Sequence, residues 1–244
     1  MAFLGSCQTQ TSQEKQSSDS LQVSSATAPS DSVPPIGAMK LLDEVLACQD
    51  YNGLVAKYGE KNIEKLAKVE TGEGTFEVTK LFPNTSEELE IYWKEGQQFK
   101  KIQDVLARLQ LKDGKPVITA TWASKAGLFL GMPLTEAVKV NGKTFTITGF
   151  GWDLGGSVVS WEGGKLADKN VNARFEDMSS NNGGLSSEQY AEISGEREFD
   201  VQHASIQKLN PVIKQLSVFE KPSFDKAQGN KLYKQVEEKQ MPKH

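Results

Sequence analysis

The sequence predicts an α+β domain, with short N-terminal helices followed by a mostly antiparallel β-sheet built from hairpins. Three observations carry this. Apolar residues recur at helical spacing between residues 39 and 58. Beyond residue 62 they alternate in short runs. Glycine-rich turn signals separate those runs at hairpin distance.

Taken in order, Met39, Leu42, Val45 and Leu46 form the first helical face, with Leu41 and Cys48 broadening it. Cys48 is expected to pack there as an inert thiol. Asp50-Tyr51-Asn52-Gly53 is expected to interrupt the helix, and a second short helix over 54–58 ends at Gly59. Gly72-Glu73-Gly74 is a turn, and Phe76, Val78 and Leu81 alternate roughly after it. Leu89, Ile91 and Trp93 alternate more clearly, although Thr85-Ser86-Glu87-Glu88 also reads as a helix capping box. Residues 105–111 alternate, Lys112-Asp113-Gly114-Lys115 makes a hairpin turn, and 117–122 returns as a strand.

A short helix over 135–140 is closed by Asn141-Gly142. Residues 144–150 alternate, 149–156 turn the chain, and 157–161 return before Gly163-Gly164 turns it again. Residues 177–195 read as loop, broken at Asn181-Asn182-Gly183-Gly184, with a capping box at Ser186-Ser187-Glu188-Gln189. Residues 212–219 are the last apolar run, and 221–244 form a polar, lysine-rich tail. The stretch 36–220 is long enough to bury about 70% of its unfolded surface in one core, so a single domain is expected there.

Composition narrows the partners. The 244 residues carry a net charge of -4 and a pI near 5.4. The densest basic run is Lys100-Lys101. Nucleic-acid binding needs a basic face that releases counterions, so no nucleic-acid partner is expected. No stretch reaches the roughly 20 apolar residues that cross a bilayer. The two cysteines, Cys7 and Cys48, do not make a disulfide framework.

The first residues point to a membrane by another route. Leu4-Gly5-Ser6-Cys7 resembles the bacterial lipobox, in which a peptidase cuts before the Cys and lipid is attached to it. The six residues before Cys7 carry no basic side chain, so 1–7 reads as the remnant of a lipoprotein signal. Residues 8–35 hold only Leu21, Val23 and Val33 as large aliphatics and no aromatic residue. Such a segment cannot bury enough apolar area to offset its chain entropy. It is expected to be a disordered stalk between Cys7 and the domain. More than one acyl chain makes such an anchor stable. The expected location is the bacterial cell envelope, periplasmic or outer-membrane, held by the lipid.

One segment has a signature. Residues 127–166 read GLFLGMPLTEAVKVNGKTFTITGFGWDLGGSVVSWEGGKL, with nine glycines and two of the four tryptophans. With the Gly-Leu-Phe-Leu-Gly-Met step, the Asn-Gly-Lys turn and the Gly-Phe-Gly-Trp-Asp-Leu-Gly-Gly strand-turn-strand, the chain resembles a group of uncharacterised bacterial envelope lipoproteins. The resemblance implies envelope location and this fold, and carries no activity. Physically, Asp153 is expected to hydrogen-bond the turn backbone, and Trp152 and Trp161 to form a cross-strand pair. Alternatively Trp122, Trp152, Asp153 and Trp161 form a recognition site, since aromatic faces beside glycines and an acid suit a sugar.

Catalytic chemistry is sparse. Only His203 and His244 are present, and no catalytic constellation, metal ligand set or cofactor motif is found. The expected function is therefore a non-enzymatic envelope lipoprotein with a binding or structural role, its partner, an envelope protein or a glycan, left open by the sequence. A glycan-binding module is the alternative. A hydrolase of envelope polymer using unidentified carboxylates is the third.

Overall fold

The computed structural model describes residues 1–2, 39–71, 74–112, 115–116, 122–179 and 181–221. Cys7, the 8–35 stalk, the strand expected over 117–121 and the tail from 222 lie outside the described residues. The fold is α+β, with mostly antiparallel sheets.

The chain enters through β1 (Lys40–Leu41) into α1 (Leu42–Leu46), which buries Leu42 and Val45. Helix α2 (Tyr51–Tyr58) follows. The expected break at residues 50–53 is corrected here: the Asp50 side chain accepts the Gly53 N–H at 2.8 Å and caps α2, so the next three residues form its first turn. Gly53 is required there, because a Cβ would stand 2.1 Å from the Cys48 carbonyl oxygen. Cys48 is half-buried against the core, and its thiol donates to the Glu44 carbonyl at 3.5 Å.

Strands β2 (Ile63–Thr71), β3 (Gly74–Leu81), β4 (Leu89–Trp93) and β5 (Ile102–Arg108) form an antiparallel meander. The 85–88 segment therefore precedes a strand and caps no helix. A small hairpin, β6 (Leu111–Lys112) with β7 (Lys115–Pro116), and β8 (Trp122–Ala123) follow, and β8 pairs in parallel with β1. Helix α3 (Leu134–Asn141) leads to β9 (Thr146–Thr148) and β10 (Val158–Ser160). Next come β11 (Val171–Glu176), α4 (Ser187–Glu192), β12 (Glu198–Asp200), α5 (Ala204–Leu209) and β13 (Val212–Phe219). The sequence reading had missed β11, β12 and α5.

The main sheet runs β11-β13-β5-β4-β3-β2, and a smaller one runs β10-β9-β12. The last apolar run, β13, thus inserts between β5 and β11. Register sorts the main sheet into two faces. One carries the rows Leu81–Leu89–Ala107–Leu216–Ala173 and Thr79–Ile91–Val105–Val218–Val171, all buried. Helix α1 packs on β5 and β13, and the core extends through Phe145, Ile147 and Trp161 of the second half. The other face carries polar rows: Lys80–Glu90–Leu106–Ser217–Asn172, Tyr92–Asp104–Phe219 and Arg108–Gln215–Arg174. Side chains on a strand alternate between faces, so one sheet presents an apolar and a polar side.

Two motifs of the 127–166 signature weld this second half together. Asn141 is fully buried at the end of α3; its amide donates to the carbonyls of Trp161 (3.0 Å) and Lys143 (3.1 Å) and accepts from the Leu166 N–H (3.1 Å). Gly164 lies against it, where a Cβ would come within 2.3 Å of its side-chain oxygen. In the strand-turn-strand, Gly156 has φ +75°, and a Cβ there would stand 2.0 Å from the Phe175 carbonyl. The Phe175 N–H donates to the Gly156 carbonyl at 2.8 Å, tying this turn to β11.

A polar groove as the candidate functional site

A groove of about 930 Å³ opens on the polar face of the main sheet. Its floor is the row Arg108–Gln215–Arg174, contributed by β5, β13 and β11. The turn carrying Trp152 and Asp153 lines it, as do Glu176, Asp177 and Tyr190.

The floor is held by a buried ion pair. Glu90, with 9% of its side chain exposed, accepts from Arg108 Nε at 2.8 Å, from Arg108 Nη2 at 2.9 Å and from the Tyr92 hydroxyl at 2.8 Å. Burial alone would lower the Arg108 pKa, but the Glu90 hydrogen bonds and charge outweigh it and raise it. Tyr92 is pushed up by burial and then by the Glu90 charge. Beside it, Lys214 pairs with Glu176. Arg174 spends Nε on the Gly155 carbonyl at 2.9 Å and has no ion-pair partner among the described residues. Gln215 makes no side-chain hydrogen bond among them either. The Tyr190 hydroxyl is raised by burial, then by Asp177 and Glu176, so it remains a proton donor.

The four sequence candidates separate in space. Trp152 and Asp153 line the groove. Trp152 is half-buried and donates its indole N–H to the Gly149 carbonyl at 3.0 Å. Asp153 is exposed and, contrary to expectation, hydrogen-bonds nothing among the described residues. The turn is closed instead by Thr148, whose hydroxyl donates to the Leu154 carbonyl at 2.6 Å and accepts from the Ser157 N–H at 3.0 Å.

Trp161 and Trp122 are core residues, 8% and 3% exposed. Trp161 donates to the Val171 carbonyl at 3.2 Å and packs tilted against Phe145, ring centroids 4.8 Å apart. The expected Trp152–Trp161 pair does not form, because the strand register sets Ser160 against Thr146 and leaves Trp152 within its own turn. Trp122 donates to the Glu87 carbonyl at 3.2 Å and borders a separate cleft with Lys57 and Tyr58.

Sequence reasoning missed Arg108, Gln215, Arg174 and Tyr190. The signal for Arg174 was present: Val171-Asn172-Ala173-Arg174-Phe175-Glu176 alternates strictly. Among the described residues, no three His, Cys, Asp or Glu converge into a metal cage, and no helix is long and apolar enough to cross a membrane. The chain matches no protein-family profile, no curated protein and no solved structure.

Proposed function

We propose that the chain is a non-enzymatic, lipid-anchored domain of the bacterial cell envelope that binds a glycan in the polar groove. The observation that carries the reading is the pairing of half-buried Trp152 with exposed, unpartnered Asp153 at the same groove. A sugar ring has an apolar C–H face and a rim of hydroxyls. An aromatic ring takes the first, and free carboxylate, amide and guanidinium groups take the second. The groove volume falls in the range of small-molecule sites. The Leu4-Gly5-Ser6-Cys7 motif and the Ser/Gln/Pro-rich 8–35 segment support the anchor. Asp104, the carboxyl pushed up to about 7, is not among the groove-lining residues, which favours binding over acid–base catalysis.

The test is a glycan array probed with the full-length Cys7→Ser chain, which stays soluble if Cys7 carries the lipid. Trp152→Ala in that background is expected to weaken binding by about tenfold. Unchanged binding in Trp152→Ala would place the site elsewhere. Cys7→Ser protein that still pellets with membranes would end the anchor reading.

A further inference from the structure

We infer that the groove selects an acidic glycan, seating the carboxylate of one sugar residue on Arg174 beside Gln215. The inference rests on the glycan reading above and adds the charge of the ligand. It follows from which charges in the groove are already compensated. Arg108 is satisfied by buried Glu90, and Lys214 by Glu176. Arg174 alone on the floor is a cation without an acid partner among the described residues, with Nε spent on the Gly155 carbonyl and both Nη groups left over. Those two nitrogens form the fork that binds a carboxylate through paired hydrogen bonds.

Register places the amide of Gln215 next to Arg174 and Arg108 beyond it. Adjacent strands are about 4.8 Å apart, so the two guanidiniums stem from positions about 10 Å apart with an uncharged donor between them. That row offers N–H donors from three strands, on the sheet rather than on a loop. None of the acids nearby pairs with Arg174. Glu176 is neutralised by Lys214, and Asp177 is half-buried and accepts the Ser179 N–H at 2.8 Å. Asp153 and Glu70 are exposed, where water and salt screen them. Asp153 is then free to accept sugar hydroxyls while Trp152 covers the ring.

The experiment uses the full-length Cys7→Ser chain on an array of glucuronate-, galacturonate- and muramate-containing oligosaccharides. Each is printed beside its carboxyl-reduced counterpart. The acid forms are expected to bind roughly tenfold or more tightly than the reduced forms. Arg174→Gln is expected to erase that preference. Because Arg174 also braces the Gly155 turn, a second variant is needed. Gln215→Glu supplies the protein's own carboxylate between the two guanidiniums, and should weaken the acid forms far more than the reduced forms, abolishing the preference. Reduced forms that bind as well as acids, with Gln215→Glu silent, would overturn the charge assignment and leave the glycan reading standing. No binding to any oligosaccharide, with Trp152→Ala indistinguishable from its parent, would overturn both.

Discussion

Asp104 shows how one residue can set the pH response of the domain. It lies on β5 opposite Tyr92 and Phe219, and its Oδ1 is buried without a hydrogen-bond partner. Burial pushes its carboxyl up to about 7, and the Ser217 hydroxyl only partly opposes this. In the unfolded chain an aspartate titrates near 4. Between about pH 4 and 7 the folded state therefore keeps a proton that the unfolded state has released. Stability from this group is greatest below pH 4 and is lost as pH rises through 7. Asp104→Asn keeps the shape and removes the ionisation. It should raise stability at pH 8 by roughly 1–3 kcal/mol, below the linkage limit of about 4. Urea unfolding of both proteins at pH 5 and pH 8 checks it, and equal differences at the two pH values would refute it.

At the scale of elements, the 127–166 segment is a set of joints. Asn141 ends α3 and holds the 161–166 turn through three hydrogen bonds, each to a backbone group. Asn141→Ala strands the Leu166 N–H in the interior, while the Trp161 carbonyl keeps the Gly164 N–H at 2.9 Å. An unsatisfied buried group costs about 1–3 kcal/mol, so the variant is expected to lose roughly that much, read as a lower urea midpoint. An unchanged midpoint would mean that water reaches that group. The sequence marked this segment by its glycines and tryptophans, and its helix, turns and strands lie where the pattern put them. Hairpins are legible because their cause is local: a turn residue and an alternation. The fates of Trp152 and Trp161 were not legible. Both sit beside glycines, but burial depends on which strand packs over them, and β11 covers Trp161 from ten residues away. The floor of the groove was hidden for the same reason. Arg108, Gln215 and Arg174 become neighbours only because β13 inserts between β5 and β11, a register that no local pattern encodes.

For the whole molecule, function hangs on the asymmetry of one sheet. Its apolar rows close a core with α1 and the second half of the chain, and on its polar side the Arg108–Gln215–Arg174 row floors the groove. Gln215 and Leu216 are consecutive on β13 and belong to opposite faces. Leu216 is fully buried between Ala107 and Ala173, whereas Gln215 lies half-buried between Arg108 and Arg174. Leu216→Ala leaves a cavity that its small neighbours cannot fill, and is expected to cost about 2–5 kcal/mol. Gln215→Ala removes no described hydrogen bond and should change stability by no more than about 0.5 kcal/mol. Urea unfolding of the two variants at one pH, with equal slopes, measures the contrast. If Gln215→Ala destabilised as much as Leu216→Ala, the polar face would be a second packed layer. A ligand could then reach Arg174 only by displacing protein. A near-silent Gln215→Ala means that the row is free to be spent on a ligand, which is the condition the glycan reading requires.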